Sequence, residues 1–184
     1  MQNSKGLERM QLVMAFEPAD LNSTGATGDY VCLSHYDRCL CVILAGDGTA
    51  SKDIPVSMYQ ATSNAGAGAK VLNALETGRI YTKEGATFTA MQLVDQFTKE
   101  TQATADEQWA PGDSGENVLV WGFEIKASDL DIAGGFDCIR MDVADPGAAK
   151  IVAGLYILLD PEYPSAPELM ASCVEEPGGG SVYS

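Results

Sequence analysis

Val118-Leu119-Val120-Trp121-Gly122-Phe123-Glu124-Ile125-Lys126 is the stretch on which the fold turns. In an extended chain alternate side chains share a face, so Leu119, Trp121, Phe123 and Ile125 form one apolar row. From Cys138 to Ala144 the same rhythm recurs, with Ile139, Met141 and Val143 alternating with Arg140 and Asp142. Both segments predict strands with one buried face. Working outward, Cys39 to Ala45 is apolar throughout and ends at Gly46-Asp47-Gly48. Ile151 to Leu159 is nearly so, and is stopped by Asp160-Pro161, whose ring removes a ladder donor. The first reads as a strand covered on both faces, and the second as a strand in the middle of a sheet. Tyr30 to Leu33, Val56 to Ala61 and Arg79 to Thr82 are further short strands. In Thr87 to Gln102 the threonines and the spacing of Met91, Leu93 and Phe97 favour a strand over a helix.

The 19 glycines and 8 prolines fall between these segments as punctuation, which is the pattern of an all-β chain. Seven or eight short strands without a long amphipathic helix exclude a parallel βαβ sheet and predict an antiparallel β-sandwich, jelly-roll-like, over residues 28–165. Residues 1–27 read as an N-terminal arm or an edge strand. Residues 166–184, with Pro177 and three successive glycines, read as a flexible C-terminal tail.

The 184 residues are 46% hydrophobic and 20% charged, an ordinary globular composition. A net charge of −15 opposes nucleic-acid binding, which draws its affinity from Lys and Arg on phosphates. No membrane partner is expected, because apolar runs of seven and nine residues fall far short of a spanning helix. The first sixteen residues show no secretory pattern. Five cysteines, at 32, 39, 41, 138 and 173, form an odd set without a C-x-x-C pair, so reduced, buried thiols are expected, and no metal site.

Gly112-Asp113-Ser114-Gly115 spells the surroundings of a protease nucleophile, but the mechanism also needs a histidine base and a carboxylate to orient it. The single histidine, His35, lies in Ser34-His35-Tyr36 and reads as a locally satisfied turn residue. Gly66-Ala67-Gly68-Ala69-Lys70 lacks the spacing of a phosphate loop, and Val71 stands where a hydroxyl would hold magnesium. The pairs Asp129, Asp131 and Asp47, Asp53 read as solvated acidic loops and not as calcium ligands. Trp121 reads as core, whereas Trp109 and the Ser63 to Ala69 loop would line an exposed site if the chain bound glycans. No catalytic residue and no cofactor is assigned, and a non-enzymatic role is expected.

Laid end to end, the segments carry a resemblance. Gly28-Asp29-Tyr30-Val31, Tyr36-Asp37-Arg38-Cys39, Val42 to Gly48 and Val56 to Thr62 occupy the first half. Ile125 to Asp131, Gly134-Gly135-Phe136, Cys138 to Asp145 and Leu155 to Tyr163 occupy the second. This order is similar to that of small virion proteins encoded in the head-gene region of tailed bacteriophages, and the match spans Gly28 to Tyr163. The resemblance implies a capsid decoration, or cement, protein on the outer surface of the virion, whose partner is the major capsid protein. A head-to-tail joining or other minor virion component is a neighbouring possibility, and a glycan-binding head-surface module is a second, separate reading. A homo-oligomer such as a trimer is expected. Leu7, Met10 and Phe16 from the arm, with Val182 and Tyr183 from the tail, are the candidate interface side chains.

Overall fold

A computed structural model describes residues 6–112 and 114–162. Twelve strands and one short helix make up the elements used below: β1 Met10–Asp20, β2 Ala26–Thr27, β3 Val31–Cys32, β4 Tyr36–Ala45, β5 Val56–Ala61, β6 Lys70–Val71, β7 Ile80–Gly85, α1 Phe88–Gln92, β8 Thr98–Lys99, β9 Gln108–Trp109, β10 Val118–Lys126, β11 Cys138–Val143 and β12 Ile151–Pro161. The larger sheet has the order β1-β12-β4-β10-β7-β8, and the smaller β2-β11-β5-β6, with β3 also on β11 and β9 on β5. Every pairing is antiparallel. First strand lies beside last in one sheet, and second beside penultimate in the other. The chain therefore wraps as a jelly roll, the predicted all-β sandwich.

Alternation along the strands builds the core. Cys39, Cys41 and Ile43 of β4, Leu119, Trp121, Phe123 and Ile125 of β10, and Val152, Tyr156 and Leu158 of β12 are buried on one side of the larger sheet. Val56 and Met58 of β5 and Ile139, Met141 and Val143 of β11 meet them from the smaller sheet. Trp109 packs edge-on against Trp121 with ring centroids 4.6 Å apart. The Tyr156 hydroxyl crosses the core to accept from Met141 N and to donate to Asp29 O.

Residues 1–27 contribute an edge strand: β1 pairs along β12 from Met10↔Leu159 to Asp20↔Ile151. The ring of Phe16 lies where a Cβ on Gly154 would otherwise project, 2.4 Å from its nearest atom. Glycine at 154 is what leaves room for that ring.

Three expectations are corrected. Thr87 to Gln102 is not one strand: Thr87 caps a helical turn by accepting from Ala90 N at 3.1 Å, and only Thr98–Lys99 pairs with β7. Leu93 and Phe97 are exposed, so only Met91 of the expected apolar row is buried. Cys32 and Cys138 are not free thiols but a disulfide, because β3 and β11 place them directly opposite each other. Cys39 and Cys41 remain free and buried. Finally, among the described residues β4 is covered on one face only, and so is β12, although β12 does lie inside its sheet between β1 and β4.

Candidate interaction surface

On β4, buried Cys39, Cys41 and Ile43 alternate with half-buried Leu40 and Val42 and with Leu44, 46% exposed. β12 does the same, setting Ala153, Leu155 and Ile157 on its outer side. Register aligns these residues in rows across the sheet. Leu12 of β1 lies beside Ile157 and then Leu40, while Met14 lies beside Leu155 and then Val42. Leu12 is 48% and Met14 59% exposed. Ala153 and Leu44 continue the field to Val120 on β10.

Rows three strands wide at about 4.8 Å, over five residues at about 3.4 Å each, give this field a footprint of about 240 Å². A contiguous apolar patch of a few hundred Å² approaches the largest seen on monomeric proteins, and such patches are often functional. One end is closed by charge: Arg38 donates from Nε to Asp160 at 2.7 Å and from Nη1 to Glu124 at 3.2 Å. An apolar centre with a paired, polar border is the usual anatomy of a protein interface.

The residues singled out from sequence fall elsewhere. Leu7 is exposed and Met10 half-buried at the start of β1. Phe16 is buried at 8% exposure against Gly154 and is not available to a partner, since it fills its own core. Val182 and Tyr183 lie outside the described residues. Leu12, Met14, Leu40, Val42, Leu44, Leu155 and Ile157 were not anticipated. Their signal was present in the doubly apolar runs, which demand a cover that the fold does not supply among the described residues.

The chemical candidates are occupied structurally. Ser114 is buried; its Oγ accepts from Ile54 N at 2.9 Å and sits 3.2 Å from Pro111 O, and Asp53 Oδ1 accepts from Gly115 N. His35 instead borders a cleft of about 480 Å³ lined also by Leu33, Tyr36, Leu130, Asp137 and Glu162. Its Nδ1 is 3.9 Å from the Glu162 carboxylate. Lys70 of the glycine-rich loop donates to Asp131 at 2.6 Å and stands 4.0 Å over the Phe136 ring. Asp129 is held by Arg79 and accepts from Lys126 N. Trp109, 7% exposed, is core and cannot stack on a sugar. Cys32, Cys138 and Asp137 bring three possible metal-ligand atoms together, but the disulfide engages both sulfurs.

On the outside of the smaller sheet the Arg140 guanidinium lies 4.9 Å from the Tyr30 ring centroid and 4.8 Å from that of Tyr59. It also donates to Asp142 at 2.8 Å. Burial pushes the Asp142 carboxyl above its usual range, against the pull of Arg140. Among the described residues the two outer faces thus differ in kind, one apolar and open, the other closed by a cation between aromatic rings.

No protein-family model matches the sequence, and no curated protein matches it. Among solved structures the chain is similar to the SPBc2 prophage-derived protein YomS, at 11% identity and a TM-score of 0.35, over 80% of this chain and 92% of that one. A likeness so loose transfers neither fold nor activity. Among the described residues no helix is long and apolar enough to cross a membrane.

Proposed function

We propose that this chain is a non-enzymatic virion structural protein of a tailed bacteriophage that binds the outer capsid surface and reinforces contacts between major capsid proteins. The observation that supports this most is the open apolar field on the larger sheet, centred on Leu40, Val42, Leu44, Leu155 and Ile157. It sits on strands whose opposite face is the rigid core, so a partner meets a preformed surface and little ordering entropy is lost. The net charge of −15 suits a position outside the head, away from packaged DNA.

The test is binding to preassembled, expanded capsids that lack the protein. Wild type binds saturably at micromolar concentration and raises the temperature at which the capsids open. Leu44→Glu keeps its fold, because the side chain is already exposed, and loses the binding. Absence of wild-type binding at that concentration, or undiminished binding by Leu44→Glu, refutes the reading.

A further inference from the structure

Among the described residues no strand pairs with the outer edge of β1, and that edge has a geometry that its side chains alone do not reveal. Leu21 N donates to Lys150 O, and Gly46 N donates to Ile151 O. Because backbone groups alternate sides along a strand, even-numbered residues of β12 face β1 and odd-numbered ones face β4. Val13 opposes Tyr156 and Gln11 opposes Leu158, so those two bond into the sheet. Met10, Leu12 and Met14 consequently turn their N–H and C=O groups to the outer edge, away from β12. Leu12 N agrees with this, donating at 3.3 Å to the side chain of its own neighbour Gln11.

The open stretch has defined limits. Past Met14 the edge closes, since Ala15 O accepts from Asp29 N at 2.8 Å. Before Met10 lies the helical turn Gly6–Glu8. The window between, Met10-Gln11-Leu12-Val13-Met14, has no charge, no proline and no bulge, the devices by which edge strands usually avoid pairing. Its edge-facing residues read the same in both directions: Met, Leu, Met.

We propose that β1 pairs antiparallel with β1 of a second copy about a twofold axis, Leu12 meeting Leu12 and Met10 meeting Met14 of the other copy. A twofold contact requires a surface complementary to itself, and a palindromic, uncharged edge supplies one. Pairing would join the two larger sheets edge to edge and double the apolar field without covering it. The inference concerns the copies alone and goes beyond the capsid reading. It is tested without capsid, so either can fail while the other stands.

Five residues bury far less than the ~800 Å² per partner of a standard interface, so the dimer is weak, with dissociation at about 10 to 500 µM. Equilibrium sedimentation across that range shows reversible monomer and dimer. Dimerisation strengthens from about 0.05 to about 0.5 M salt as the −15 charge on each copy is screened. Leu12→Lys remains folded by circular dichroism and is monomeric, as is Leu12→Glu. An equimolar mixture of the two associates again, which only a register placing residue 12 against itself produces. A wild type that stays monomeric at both salts or forms trimers, a Leu12→Lys that dimerises normally, or a mixture that does not associate overturns the proposal.

Discussion

Removing the Cys32–Cys138 link by replacing both residues with alanine tests what the disulfide contributes. The two cysteines are 106 residues apart, so the bridge encloses most of the described chain. Closing a loop of that length in the unfolded chain removes about 16 cal/mol/K, or about 4.8 kcal/mol at 25 °C. Losing two sulfur atoms adds about 1 kcal/mol, chiefly at buried Cys138. At about 2–4 °C per kcal/mol for a domain of this size, the loop term alone lowers the melting temperature by about 10–19 °C. Urea unfolding of the oxidised protein, the protein reduced with a dithiol and the double variant measures it. The cross-linked unfolded chain also exposes less surface, so the oxidised protein has the smallest dependence of stability on urea. A loss below about 2 kcal/mol, or equal urea slopes in all three, shows that the bridge does not constrain the unfolded chain.

Two further outcomes follow from buried charge. Lys150, 2% exposed, donates from Nζ to Gly46 O, Gly115 O and Asn117 O at 2.7, 3.1 and 2.8 Å. Lys150→Met leaves those carbonyls unbonded and costs on the order of 3 kcal/mol in chemical unfolding; no change in midpoint means that water replaces the ammonium. Burial raises the Asp137 carboxyl above its ordinary 3.8, so above that window the fold carries a carboxylate it would prefer protonated. Asp137→Asn therefore raises the melting temperature slightly at neutral pH, and the gain disappears below pH 3.8, where both proteins are neutral at this site; a gain independent of pH rules out this cause.

Much of the sandwich was legible because its strands obey a period of two. Val118–Lys126 and Val56–Ala61 have the bounds their alternation suggests, since each places apolar residues against the opposite sheet. The turn at Thr87 was not legible: a threonine cap outweighs local strand preference there, and the row through Leu93 and Phe97 has nothing to pack on. Nor could spacing reveal Cys32 opposite Cys138, because their encounter depends on how β3 returns to β11. The interface was half legible. The apolar run at Cys39 to Ala45 announced two covered faces and that at Ile151 to Leu159 a central strand, but only topology shows which face is left open among the described residues. Phe16 misled because its apolar ring was judged by position near the terminus, whereas Gly154 receives it inside the molecule.

Magnitudes decide how such a surface would work. Covering about 240 Å² of apolar sheet at about 25 cal/mol per Å² is worth about 6 kcal/mol. Holding a free protein in place costs an estimated 4–15 kcal/mol in lost translation and rotation. One face on one partner is therefore close to balanced, and the exposed Leu44 and Met14 do not condemn the chain to aggregate. Where partners already stand in a lattice, or where two copies share an edge through β1, that entropy is lost once for several contacts and the same area binds tightly. An apolar field large enough to matter in an array, yet too small to hold a lone partner, is the property expected of a protein that attaches only after its target has assembled.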